Sequence, residues 1–311
     1  MPNVVYDNFY LSNEVEDQLI TQLDLQRFAT IDNNLVGEPG MVRKINIYSG
    51  TDGAQILALG SGNTTSIEVS YTPKEYRIET LQARFQYYDE EAMTDPMLVP
   101  VGVRKIGVDI ANALNQSVID ELVDNTGIYI PGATIDFDVF ADAQALMNIE
   151  NLEGTELYAL ISPTDAAALR KALKATLQYV EAFARQGYIG TVAGVNVYIC
   201  KALDKGDLVI AARDAVTIFN KSGVDIEQIV NGTRSETAAN VRQNTVFGRK
   251  YFITAMTRPN HAAYVTTASD AMTSATGTAV AGTMYYEKVG TNYTYKPVAV
   301  GASVTGLYKF T

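Results

Sequence analysis

Few residues in this chain could do chemistry, and their placement works against it. Cys200 is the sole cysteine and His261 the sole histidine. A thiol activated by an imidazole is a workable nucleophile, so the pair is conceivable on residue type alone. Cys200, however, ends the apolar run 195–200 (VNVYIC), where a small buried hydrophobe is the usual occupant. His261 follows Pro259 in a turn-forming segment. A single histidine excludes paired-histidine mechanisms and His-rich metal sites. Asp89-Glu90-Glu91 offers carboxylates to a cation, but three adjacent side chains cannot converge on a helix or a strand, and the run reads as a solvated turn. The glycine-rich run 59–66 (LGSGNTTS) lacks the Gly-Lys-Ser/Thr ending of a phosphate loop, and 187–194 (GYIGTVAG) has the wrong spacing for a dinucleotide fingerprint. Both read as turns. No catalytic, cofactor-binding or metal-ligating residue is assigned, no cofactor is expected, and the chain reads as non-enzymatic. A monomeric hydrolase using Cys200 is the enzymatic alternative.

Composition narrows the class further. With 311 residues and 47% apolar content, the chain can bury one or two real cores. No stretch approaches the roughly 18 uninterrupted apolar residues of a membrane span, so no membrane partner is expected. The first residues are acidic and polar, without the basic-then-apolar pattern of a secretion signal. One cysteine cannot form an internal disulfide, which fits a reducing compartment and origin in a cytoplasm. Net charge is −11 and uneven: residues 1–160 carry 25 acidic and 8 basic side chains, whereas 161–311 carry 10 and 16. This keeps the chain soluble and offers a secondary means of orienting copies, acidic front to basic rear. The overall sign and the lack of a Lys/Arg cluster argue against sequence-specific nucleic-acid binding.

The positioning elements begin at residues 84–123. An aromatic strand runs into the acidic turn, crosses Pro96 and Pro100, and continues as one long helix. Val103, Ile106, Ile110, Leu114, Val118 and Leu122 recur every three or four positions, which puts them on one face. Pro100 suits the first turn, where its missing N–H costs nothing. Arg104, Lys105, Asp109, Gln116 and Asp120 fall off the apolar line.

This stretch resembles the strand, acidic turn and long spine helix of the tailed-phage major capsid proteins, whose fold is shared with encapsulins. Three further segments resemble that family in the same order. Residues 190–201 (GTVAGVNVYICK) are similar to a strand of its axial domain, and 206–220 (GDLVIAARDAVTIFN) to the strand pair that follows. Residues 240–267 are similar to its closing run, an aromatic-rich strand pair ending in Arg-Pro-x-x-Ala and a last apolar strand.

The intervening segments read consistently with this. Residues 18–28 suggest a short helix on an extended arm, broken at Gly37-Glu38-Pro39-Gly40. Residues 41–48 and 67–71 alternate as strands around the flexible run 59–66, giving a two-stranded loop that is marginal unless a neighbour covers it. Between 136 and about 230, helices and strands alternate. A helix over 139–149 directs Val139, Ala143, Leu146 and Met147 inward, 157–161 is a buried strand, and Thr164 caps a helix over 165–174. An Arg185–Gly190 turn then leads into the strand at 195–200. Residues 269–282 read as a flexible linker to a tyrosine-rich β-element on the outer surface. On that reading, cutting the chain after Thr267 leaves assembly intact.

The resemblance implies an α+β capsid fold: N-terminal arm (1–40), extended β-loop (41–88), peripheral domain with the spine helix (89–135 and 229–257), axial domain (136–228 and 258–268), and a small C-terminal β extension (269–311). It implies a major capsid protein that self-assembles, through pentamers and hexamers, into an icosahedral head shell. The shell encloses a double-stranded phage DNA genome without sequence-specific binding. Scaffolding and portal proteins are expected partners; the arm begins close to Met1, so the scaffold is expected to be separately encoded. No residue pair for a covalent crosslink between subunits can be picked out, and none is expected. Expected localisation is the virion, after synthesis in the bacterial host cytoplasm. An encapsulin-like cellular compartment is the alternative shell.

Overall fold

The computed structural model describes residues 24–37, 39–50, 53–149, 156–173, 188–229 and 242–310. The described chain enters through a 3-10 turn (Leu25–Phe28) and a short strand, β1 (Thr30–Asp32). A two-stranded ribbon follows, β2 (Val42–Gly50) and β3 (Val69–Arg77), then β4 (Glu79–Tyr88), helix α1 (Asp89–Thr94) and the 27-residue helix α2 (Leu98–Asp124). Next come β5 (Ile128–Pro131), α3 (Phe137–Met147), β6 (Leu157–Ile161), α4 (Pro163–Leu173), β7 (Tyr188–Val192), β8 (Val195–Ile199) and β9 (Asp207–Ala212). They lead to β10 (Val216–Asn220), β11 (Asp225–Ile229), the 14-residue β12 (Gln243–Met256) and β13 (Ala262–Thr266). The tail adds β14 (Met272–Ser274), β15 (Tyr286–Val289), β16 (Asn292–Tyr295) and β17 (Tyr308–Phe310).

One face of the spine helix α2 packs on the first sheet near its start and meets strands of both sheets near its end, while the opposite face is exposed, which accounts for its residue pattern. Ile106, Ile110, Leu114, Val118 and Leu122 are buried on the expected face, while Val103 is half-buried. Ile106 and Ile110, towards its start, pack with Tyr87 and Val246 of the first sheet. That sheet has the order β1-β10-β12-β11, with β4 paired to β12 along its whole length, from Glu79 opposite Phe252 to Tyr88 opposite Gln243. Close approach of helix and sheet needs glycine at the contact: a Cβ on Gly102 would lie 2.5 Å from the Phe85 ring, and one on Gly248 would lie 2.3 Å from Ile106 Cγ2.

The second sheet has ten strands in the order β14-β17-β15-β16-β5-β13-β9-β6-β8-β7. Its central strands are covered on both faces, so they read as unbroken apolar runs. All five residues of β6 are buried. Leu157, Ala159 and Ile161 face α3 and α4, while Tyr158 and Leu160 face α2. Helix α3 is capped by Asp136, which accepts from the Asp138 and Val139 amides, and it buries Val139, Phe140, Ala143 and Met147. The expected inward Leu146 is half-buried and packs against the same cluster, which Phe140 also joins.

Several expectations are corrected. Ser162, not Thr164, serves the start of α4: its Oγ accepts from Asp165 N at 3.3 Å and donates to Asp165 Oδ2 at 2.8 Å, leaving Pro163 in the first helical position. Residues 206–220 do form two strands, but β9 and β10 join different sheets, the chain crossing over at 213–215. The aromatic closing run is one long strand, β12, and then β13, rather than a strand pair. Strand β4 lies in the first sheet, so the ribbon proper is β2 with β3, in continuous register from Val42–Arg77 to Gly50–Val69. The segment 269–282 is no open linker. It contains β14, and Ala275 and Ala279 are buried with Tyr285 and Val304. Most of the expected arm helix, residue 38 of the arm's break and most of the turn before β7 lie outside the described residues.

Candidate assembly interface

The ribbon is the element whose chemistry calls for a partner. Its two strands pair with each other and with no other strand among the described residues. Beyond the strands, the tip is held by side chains bonding across it: Gln55 Nε2 to Thr65 Oγ1 at 2.6 Å and Asn63 Nδ2 to Gly53 O at 2.8 Å. Apolar side chains are exposed along its length. Tyr48 is 66% exposed and Val69 66%, and Ile56 and Leu59 at the tip are fully exposed at 106% and 108%. Large apolar groups gathered in this way mark a surface to be covered.

The ribbon base, in contrast, is firmly attached. Tyr76 of β3 donates to Glu121 Oε1 of α2 at 2.7 Å, and the Met256 amide donates to the same oxygen at 2.9 Å. Lys74 lies 3.8 Å from Glu121 and bonds Asn125, just past the helix end. Burial pushes the Tyr76 hydroxyl and the Glu121 carboxyl above their ordinary ranges and pulls the Lys74 ammonium below its own, with Glu121 partly opposing the last of these. Arg43 of β2 stacks over the Phe219 ring at 4.1 Å. The ribbon therefore projects from a fixed root.

The tail supports this root. Strand β16 pairs with β5, placing Tyr293 opposite Tyr129, and the Tyr286 hydroxyl donates to Thr126 O at 2.7 Å. Tyr129, Met284, Tyr286, Tyr293 and Tyr295 form one cluster, and Ile47 of β2 packs against it. Thr72 of β3 donates to Val298 O at 3.3 Å.

The residues weighed for chemistry fall elsewhere. Cys200 is 4% exposed in the core beside Leu203 and Tyr158, and burial raises its thiol above the ordinary range, away from the reactive thiolate. His261 Nδ1 instead meets Asp214 Oδ1 at 2.9 Å. Asp89, Glu90 and Glu91 form the first turn of helix α1, with Glu90 and Glu91 exposed to solvent, and Glu91 accepts from Tyr88 N at 3.1 Å. Acidic residues suit that end of the helix dipole. In the run 187–194, Ala193 and Gly194 have φ of 49° and 82° and close the β7–β8 hairpin with a two-residue turn. No group of three or more His, Cys, Asp or Glu able to hold a metal occurs among the described residues. The Lys74–Tyr76–Glu121–Asn125 cluster was missed from sequence, since its members lie on elements far apart in the chain. The one available signal was Glu121 and Asn125, spaced i, i+4 at the end of an apolar helix face.

A family model described as phage capsid protein matches residues 71–267, well over half of the chain. No curated protein matches the chain. Among solved structures, the capsid of the cyanophage P-SCSP1u is similar at a TM-score of 0.60 with 16% identity, covering 81% of this chain and 90% of that one. The capsid of Ralstonia phage GP4 gives 0.57 with 12% identity, covering 78% and 88%. The virus-like particle from Pyrococcus furiosus gives 0.54 with 11% identity, covering 81% and 96%. Identities this low speak to the fold alone; the family match over β3 to β13 carries the assignment. The chain belongs to the phage capsid protein family.

Proposed function

We propose that this major capsid protein closes an icosahedral phage head by laying its ribbon over an adjacent copy. The supporting observation is the ribbon itself: a rooted, two-stranded element with apolar side chains exposed to its tip. An isolated ribbon is marginal in water, so a second copy of the chain is the natural cover. Each contact can be modest, because closure of a shell makes later contacts effectively intramolecular. In this reading the ten-stranded sheet, with 136–228 and 258–268 as its main part, meets its copies around five- and six-fold centres. The spine helix and first sheet, 89–135 and 229–257, meet near three-fold positions.

The shell encloses double-stranded DNA without reading its sequence, and its net charge of −11 suits a wall along which packed DNA slides. A scaffolding protein guides assembly and a portal protein occupies one vertex, in the cytoplasm of the bacterial host. Electron microscopy of the chain expressed with and without its neighbouring genes tests this reading. Closed shells, filled with DNA when the packaging genes are present, are expected. Shells holding a partner enzyme, or a stable monomer, would contradict it.

A further inference from the structure

Charge is divided sharply along the part of the chain that builds the ten-stranded sheet. Residues 126–169 hold seven Asp and Glu and no Lys or Arg, whereas 170–205 hold six Lys and Arg and two acids. The division falls between two helices on one face of that sheet. Helix α3 packs on β5 and β13, while α4 leaves the end of β6, on the side that closes with β8 and β7. Both bury one side in the same cluster, Phe140 and Ala143 from α3 and Ala166 and Leu169 from α4.

Their outer sides carry opposite charge. On α3, Asp138 and Asp142 are exposed one turn apart, beside Ala141 and Ala145, and Phe137 is 50% exposed. On α4, Arg170 and Lys171 are exposed, beyond the exposed Ala167 and Ala168. None of these charged side chains makes an ion pair or hydrogen bond among the described residues. Asp138 lies in the first turn of its helix, and Arg170 and Lys171 lie in the last turn of theirs. Two such helices laid side by side and antiparallel bring the acidic end of one to the basic end of the other, with favourable dipoles.

We propose that α3 of one copy docks on α4 of the next around each ring of subunits, Asp138 and Asp142 against Arg170 and Lys171. This pairing rests on the shell assembly proposed above and supplies what orders its rings. The contact is heterologous, acidic face to basic face, and repeating the step closes a ring. Charge also acts against the alternatives. Two copies meeting α3 to α3 would crowd carboxylates together, and α4 to α4 would crowd cations, so two-fold pairs through these faces are repelled. The alanines at 141, 145, 167 and 168 let the helices approach, and Phe137 has an alanine face to lie on. Exposed ion pairs add little affinity. Here they set orientation and the rate of encounter.

Charge reversal reads the pairing directly. Asp138→Lys with Asp142→Lys makes both faces basic, and Arg170→Glu with Lys171→Glu makes both acidic. Under low-salt conditions in which the unmodified chain assembles, each double variant should form shells about tenfold or more slowly by light scattering. Both reversals in one chain exchange the faces, and this fourfold variant should recover the rate. The two double variants mixed should associate only in alternation, which closes six-membered rings but not five-membered ones. Electron micrographs of the mixture should therefore show open sheets or tubes in place of closed shells. Calorimetry checks that each variant folds, and if a reversal melts early, Asp138→Asn with Asp142→Asn should show a smaller slowing. Folded double variants that assemble at the parent rate would overturn the pairing. So would a folded fourfold variant that stays as slow as its parents, or a mixture that closes ordinary shells. Failure of the unmodified chain to form any particle would instead contradict the shell assembly itself.

Discussion

Asn115 sits in the middle of the spine helix between Leu114 and Gln116, and its type suggests nothing beyond helix surface. In the fold it is 6% exposed and accepts the Leu25 amide at 3.0 Å, satisfying the backbone where the described chain enters. Asn115→Ala would leave that buried donor unpaired. A loss of about 1–3 kcal/mol is expected in denaturant unfolding, and an unchanged midpoint would refute this role. Gly127 is similar. A Cβ there would lie 2.2 Å from Pro259 O, and the Gly127 amide donates to the same oxygen at 2.9 Å. The contact is with backbone, so neither side can rotate away. Gly127→Ala should cost about 1–3 kcal/mol as overpacking, measured in the same way. At this scale the sequence was legible where a residue's immediate neighbours decide its fate, as for Cys200 at the end of an apolar strand. It was not legible where the deciding partner lies far along the chain, as for Asn115 with Leu25 or Lys74 with Glu121.

Among elements, the spine helix was the most readable. Its apolar period is long, and both ends of the buried face are used. The ribbon was readable because alternation and a polar tip are local signals. What period and composition could not convey was which sheet each strand joins. Strands β9 and β10 are separated by three residues yet belong to different sheets, although both pack into one cluster with the end of α2. The tail was misread for the same reason: Ser, Thr, Gly and Ala over 269–282 look like a linker, but small residues also fit under tyrosine rings. Because β16 extends the main sheet and covers Tyr129, cutting the chain after Thr267 should now be damaging. The truncated subunit should melt several degrees lower by calorimetry, and an equal melting temperature would show that the tail is dispensable. Tyr286→Phe isolates one bond: it leaves the buried ring and removes the donor to Thr126 O. It should cost about 1 kcal/mol, whereas Tyr286→Ala should cost about 3–5 kcal/mol by analogy with other large aromatics.

At the scale of the whole molecule, the division of labour is between a buried frame and an uncovered ribbon. The two sheets and α2 bury the main apolar clusters against one another, while the ribbon keeps Tyr48, Ile56, Leu59 and Val69 exposed for another copy. The acidic front and basic rear add orientation, though exposed ion pairs contribute little affinity. Folding and assembly should be separable by surgery at the tip. Replacing residues 49–70 with a short Gly-Ser turn keeps Lys74, Tyr76 and the whole root, so the subunit should stay soluble and melt cooperatively. Sedimentation velocity of this variant beside the unmodified chain, under conditions in which the latter forms shells, is the most direct test. The unmodified chain should sediment as closed particles and the variant as free subunits or small oligomers. Full-sized shells from the tipless variant would contradict the account.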